Sequence, residues 1–139
     1  MAKLLTMLNI LILPKGDSIE LNKYLNSEEV QCRCNRLDCH FTLINSVHAK
    51  RFYKLRKEMS FPLTINSGFR CTTHNKFVGG VDHSSHTTGN ALDISTAQLW
   101  DGQRMKLIIE ARKLFDYVKV YNTFIHCQTS PRAEGGMCV

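Results

Sequence analysis

A chain of 139 residues with a formal charge of +6 has room for one domain around a single core, spanning 1–139. Its composition is ordinary for a globular protein, which excludes fibrous, low-complexity and repeat architectures. The basic balance suits an anionic partner such as a bacterial wall polymer. Nucleic acid is not expected, because the only basic clusters, Lys50-Arg51 and Lys54 to Lys57, read as the solvated face of a helix and no nucleic-acid motif accompanies them.

In chain order, residues 4 to 13 read as a strand ended by Pro14-Lys15-Gly16-Asp17. The same apolar run has the look of a signal peptide, but no small-x-small cleavage site follows it and it is too short to cross a bilayer. The chain therefore reads as made without a signal peptide and with no transmembrane segment. Residues 18 to 25 are expected to pair back as a hairpin around Gly16-Asp17, and Ser27-Glu28-Glu29 to open a short helical turn.

Thr42 to Met59 reads as a long helix, with Ile44, Val47, Phe52, Leu55 and Met59 on one side and Arg51, Lys54 and Lys57 on the other. His48 on this helix reads as an exposed or hydrogen-bonded polar residue, not a ligand. Pro62 to Asn66 reads as a strand. Ser67 to Asn90 is a long, polar, glycine-rich stretch, and loops of this length in small domains are usually functional. Ala91 to Ser95 is a second strand, with Leu92 and Ile94 facing the core and Asp93 facing the other way. Asp101 is expected to cap a helix over 102–115 that offers Met105, Ile108, Ile109, Leu114 and Phe115 as apolar surface. Val118 to Tyr121 and Phe124 to Gln128 form a hairpin across Asn122-Thr123. This order predicts an α+β fold: a small, mostly antiparallel sheet with two main helices.

The chemistry concentrates in Ser84-Ser85-His86-Thr87-Thr88-Gly89-Asn90-Ala91-Leu92-Asp93 and in Phe124-Ile125-His126-Cys127. Two imidazoles and one carboxylate are the ligands a catalytic zinc site uses, with a fourth position left for water. On spacing alone they also fit a polar loop and a core histidine.

The text around them narrows this. Ile65-Asn66-Ser67-Gly68-Phe69-Arg70-Cys71, His74-Asn75, Val78-Gly79-Gly80-Val81, Ser84-x-His86-x-x-Gly89-x-Ala91-x-Asp93 and Ile125-His126 occur in that order. The set resembles the zinc D-alanyl-D-alanine carboxypeptidase family, which includes phage endolysins that cut the L-alanyl-D-glutamate bond and shares its fold with the hedgehog signalling domain. The resemblance covers residues 28 to 132 and leaves 1–27 as an N-terminal extension. It implies Zn2+ held by His86, Asp93 and His126, and Arg70 acting on the substrate carboxylate or the developing oxyanion. It also implies a peptidase acting on peptidoglycan stem peptides, phage or prophage encoded. Such an enzyme would reach the bacterial wall after lysis-linked release or as part of a virion, with virion proteins as further partners. Ser84 reads equally as a hydroxyl contact to ligand or substrate and as a turn residue. His83 is a candidate for substrate contact or proton shuttling, and His74 reads as loop structure.

One position departs from the family. Its small bacterial and phage members read His-x-Asp at the last ligand, with the aspartate as general base, whereas this chain reads His126-Cys127-Gln128. Strand alternation places residue 128 on the side of His126, so Gln128 is expected to face the metal. An amide cannot take a proton from water as a carboxylate can. Asp82 and Glu134 are the nearby acids that loops would have to deliver. The departure motivates an alternative class, a zinc-containing wall-binding or virion module with impaired turnover. A hedgehog-like signalling ligand is disfavoured, since the autoprocessing partner domain is absent from the sequence.

Cys32-Arg33-Cys34 and Cys39, with His40 beside it, form a local cluster whose Cys-x-Cys-x4-Cys spacing is not a standard zinc-finger one. A second metal, disulfides and buried thiols all remain open for it. Cys71, Cys127 and Cys138 are well separated, and sequence does not pair them.

Overall fold

The computed structural model of the chain describes residues 9–130. Its strands are β1 (Ile10–Pro14), β2 (Glu20–Asn22), β3 (Leu25–Asn26), β4 (Phe41–Asn45), β5 (Ile65–Ser67), β6 (Ala91–Ser95), β7 (Tyr117–Val120) and β8 (Phe124–Gln128). Its α-helices are α1 (Ser27–Val30), α2 (Ser46–Glu58), α3 (Thr72–Phe77) and α4 (Asp101–Leu114), with a 3-10 turn at Ser85–Thr88. A four-stranded sheet of order β5-β6-β8-β7 is accompanied by two two-stranded ladders, β1-β4 and β2-β3, and every pairing is antiparallel. The fold is thus α+β, with α2 and α4 as its two long helices. No helix among the described residues is long and apolar enough to cross a membrane.

The core lies between the four-stranded sheet and the two long helices. Leu92, Ile94, Ile125 and Cys127 come from the sheet, Ala49, Phe52 and Leu55 from α2, and Leu107, Ile108 and Ala111 from α4. The helical contributions recur at three- and four-residue spacing, which keeps one stripe of each helix apolar. On β6 the burial of Leu92 and Ile94 in the core leaves Asp93 to the opposite face, as alternation requires.

Several sequence expectations shift. The first strand is found at Ile10–Pro14, and residues 1–8 of the expected 4–13 run lie outside the described residues. It does not pair with the segment that follows. It runs against β4, from Ile10↔Asn45 to Pro14↔Phe41. The turn at Gly16 exists (φ +94°), but the chain beyond it is captured by Ser27. The Ser27 hydroxyl donates to Asp17 O (2.8 Å) and accepts from Ile19 N–H (2.9 Å). That closes β2 onto β3 instead.

The helix expected from Thr42 starts only at Ser46. Residues 41–45 alternate, burying Thr42 and Ile44 as a strand does, and Asn45 then caps the helix by accepting from Val47 N–H (2.8 Å). Ile44 and Val47 sit three apart, so the helical reading extended one element too far. The strand expected over 62–66 is confined to Ile65–Ser67. At the other long helix, Asp101 is the first helical residue and not the cap; Gln103 reaches back to accept from Trp100 N–H (3.1 Å). The apolar face there is Leu107, Ile108, Ala111 and Phe115, while Met105 and Ile109 are exposed.

His48 is fully buried in the stripe of α2. Its Nδ1 bonds the Thr129 hydroxyl, its ring meets Phe115 edge-on (5.0 Å between centroids), and its Nε2 has no partner among the described residues. It is therefore a buried polar residue, not an exposed one. Burial pushes its pKa from 6.5 down to about 3. Below pH 6.5 the unfolded chain binds a proton that the folded chain refuses, so stability is complete above that value and is lost as pH falls toward 3. The expected slope is about 1.4 kcal/mol per pH unit in that window. Urea unfolding at a series of pH values checks it, and His48→Gln should flatten the dependence.

Candidate metal centre

β6 and β8 are neighbours in a register that sets Asp93 directly opposite His126. β5 adds Ser67 opposite Asp93, and β7 adds Lys119 opposite His126, so one cross-strand row carries Ser67, Asp93, His126 and Lys119. His86 arrives from the 3-10 turn. Ser84 starts that turn by accepting from His86 N–H (3.2 Å), and Gly89 ends it in the left-handed region (φ +78°) that favours glycine.

The three side chains converge. His86 Nε2 and His126 Nδ1 each lie 3.1 Å from Asp93 Oδ1, and one ligand atom from each of the three residues falls within 4.8 Å of the others. All three are buried. Burial alone would raise the pKa of Asp93, but hydrogen bonds from His126 and His86 hold its carboxyl well below the usual range.

The outer ring nitrogens fix the tautomers. His86 Nδ1 lies 2.7 Å from Gly68 O, an acceptor, so it carries the proton. His126 Nε2 lies 3.1 Å from Gln128 Oε1. That amide is itself oriented, its oxygen accepting from Ser85 Oγ–H (2.8 Å) and its Nε2 donating to Ser130 O (3.0 Å). The inner nitrogens, His86 Nε2 and His126 Nδ1, both face Asp93 Oδ1, and in the neutral tautomers set by the outer partners each would offer its lone pair to a bound cation. The 3.1 Å from each ring nitrogen to the carboxylate oxygen is close to the roughly 3.3 Å edge of a tetrahedron with zinc–ligand bonds of about 2.0 Å. The donor set fits zinc, and the histidine–acceptor pairs are the kind of outer support that metal sites use to aim their ligands.

A cleft of about 460 Å³ opens over these groups, lined by Arg70, Gly80, Ser84, Lys119, Tyr121 and Phe124 among others. Arg70 contributes to the wall, but its guanidinium is already engaged. Nη2 reaches Asp93 Oδ2 (3.3 Å), Nη1 donates to Asn75 Oδ1 (3.0 Å) and Nε to Ser67 Oγ (3.1 Å). Asp93 thus shows one oxygen to the two imidazoles and the other to Arg70. Asn75 in turn donates to Val81 O (2.9 Å), and a Cβ at Gly80 would come within 2.1 Å of Asn75 Oδ1. Gly79 takes a left-handed φ of +76°, and Gly80 lets the chain press against Asn75.

Three expected contributors lie elsewhere. Gln128 is fully buried and absent from the cleft lining. Alternation gave its face correctly but not its depth, because residue 128 lies one pair deeper along β8 than His126, under the 3-10 turn and bonded to Ser85. It holds the back of His126 instead of facing the cleft. His83 is exposed, with a left-handed φ of +59°, and neither it nor the exposed Asp82 lines the cleft. Glu134 lies outside the described residues. Ser84 both lines the cleft and caps the turn. His74 on α3 stacks against Phe77 (6.2 Å between centroids).

Sequence reasoning missed Asn75, Lys119 and Tyr121 as parts of the site. Asn75 sits within the quoted His74-Asn75 pair, but nothing local reveals that it grips Arg70. Lys119 and Tyr121 follow from the β7–β8 hairpin once its register is counted outward from Asn122-Thr123, since Lys119 then faces His126.

An α+β domain that aims two imidazoles and a carboxylate into an open cleft has the make-up of a metal-dependent hydrolase. A family model described as Peptidase M15 matches residues 23–128, and the chain belongs to that family. Membership supports a zinc metallopeptidase. No curated protein matches the chain.

Proposed function

We propose that the protein is a zinc-dependent peptidase that hydrolyses peptidoglycan stem peptides, of the D-Ala-D-Ala carboxypeptidase or L-Ala-D-Glu endopeptidase type, held by His86, Asp93 and His126. The observation that carries this reading is the convergence of two imidazole nitrogens on one carboxylate oxygen at the floor of an open cleft. When bound there, zinc supplies Lewis acidity, activating water near neutral pH and polarising a scissile carbonyl. The protein's own groups do the rest. Gly68 O and Gln128 Oε1 engage the outer ring nitrogens and so aim the inner nitrogen of each ring at the metal position. Arg70 neutralises the outer oxygen of Asp93 and presents a fixed charge at the cleft wall. Lys119, exposed at the rim and 5.1 Å from the Tyr121 ring centroid, is the cation placed to receive a stem-peptide carboxylate. Tyr121 and Phe124 stack at 4.4 Å and give the alanyl methyl groups an apolar wall.

The test is a digest. Zinc-loaded protein incubated with purified muropeptides should release D-alanine or split the stem, and His126→Ala should abolish the product. Equal absence of product from both proteins rejects the peptidase.

One observation favours a second reading, a zinc-holding wall-binding or virion module without turnover. Among the described residues, Asp93 is the only carboxylate lining the cleft, so no acid stands ready as general base. Retention on purified sacculi with no product in the digest would select it. Delivery to the wall through phage lysis or on a virion is proposed for either reading.

A further inference from the structure

A second group of side chains converges on the far side of Arg70. The Sγ atoms of Cys32, Cys34, Cys39 and Cys71 lie within 4.8 Å of one another. We propose that these four cysteines bind a structural zinc ion, separate from the site at His86, Asp93 and His126.

The distances are those of a coordination tetrahedron. Cys32 Sγ to Cys71 Sγ is 3.7 Å, and Cys71 Sγ to Cys34 Sγ is 3.9 Å. Zinc–thiolate bonds of about 2.3 Å give a tetrahedral S···S edge of about 3.8 Å. A disulfide requires about 2.05 Å, and all four thiols are free. Four sulfurs with no oxygen or nitrogen ligand make a closed site, which is structural in character.

The surroundings are built for thiolates. Lys15 Nζ lies 3.3 Å from Cys34 Sγ and also donates to Cys34 O (2.9 Å). Cys71 N–H points at Cys32 Sγ and His74 N–H at Cys71 Sγ, each at 3.4 Å. A neutral thiol is a weak acceptor, so three donors aimed at sulfur indicate charge on the cluster. Zinc with four thiolates carries a net charge of about −2, and Lys15 offsets part of it. Only Cys32 is buried, while the other three are partly exposed, an arrangement that packing of apolar thiols does not favour.

The site links two stretches that share no regular sheet. It fastens the segment between α1 and β4 to Cys71, which both follows Arg70 and caps α3. The same helix carries Asn75, the residue that holds Arg70. Loading of the cysteine site therefore fixes the wall of the cleft without touching its floor.

The test separates the two centres. His86→Ala/His126→Ala leaves every cysteine in place. Prepared under reducing conditions with zinc chloride, it should retain an equivalent of zinc whose X-ray absorption shows only sulfur neighbours at about 2.3 Å. Cobalt in place of zinc should give intense thiolate charge-transfer absorption. Adding Cys39→Ser should remove that equivalent. A zinc-free double variant overturns the proposal, as do nitrogen or oxygen neighbours, or a denatured mass lighter by two hydrogens per cysteine pair. A wild-type protein holding only sulfur-bound zinc would sink the His-Asp-His reading and leave this one standing.

Discussion

Asp93→Ala should strip zinc from the His86/His126 site and cut hydrolysis by on the order of 10³-fold or more. The size follows from what the metal contributes, several kcal/mol of charge stabilisation in the transition state, at about 1.4 kcal/mol per factor of ten. The same change leaves Arg70 without its ion partner in a pocket where its side chain is only 16 % exposed. Removing one member of a buried pair costs about 3–5 kcal/mol, and the residual exposure of Arg70 should place the loss at or below the lower end. Metal analysis, muropeptide turnover and urea unfolding check the three effects separately. Asp93→Asn keeps the shape and should spare most of the stability while still weakening zinc. Full activity in either variant would remove Asp93 from the metal.

Gln128→Leu should weaken zinc by about 10–100-fold, the usual consequence of losing the group behind a ligating imidazole. Leucine fills the same space but leaves His126 Nε2–H and Ser85 Oγ without their shared acceptor. The ring is then free to take the other tautomer. Gln128→Asp separates two roles for the position. A carboxylate behind His126 should make that imidazole a stronger ligand, with tighter zinc binding and no new ionisation on the acid limb of the pH–rate profile. A new acid limb together with a large gain in rate would mean that residue 128 reaches the reacting water, contrary to its depth beneath the 3-10 turn.

How much of this was legible in the sequence differs between elements. Strand β6, with Asp93 set apart from Leu92 and Ile94, is fully encoded by alternation. The hairpin after α4 is marked by Asn122-Thr123, and two long helices follow from their apolar stripes. The Thr42–Asn45 strand was not legible as such, because a half-buried strand running straight into a helix borrows the helix's spacing. Nor was the partner of β1, since a turn signal at Gly16-Asp17 says that the chain reverses but not which strand it meets. In the site, the residues His86, Asp93 and His126 stand out through their surrounding motif. Which nitrogen of each histidine points inward was hidden, because it depends on Gly68 O and Gln128. Gln128 itself shows the boundary of pattern reading: period two gives the side of a sheet, and only the packing of Ser85 above it gives the level. Asn75 and Cys71 illustrate the remaining gap, as their partners lie across loops that no periodicity spans.

Sharing one carboxylate between two rings and a guanidinium has an electrostatic consequence. Asp93 supplies the only negative charge at the cleft among the described residues, and Arg70 already cancels it, so Lys119 and any bound dication stand as unbalanced positive charge. Such a mouth draws anionic molecules from beyond contact range. Capture should be fast in dilute buffer and slow markedly as added salt shortens the Debye length below about 10 Å. Peptides whose terminal acid has been amidated should then be captured slowly at any ionic strength.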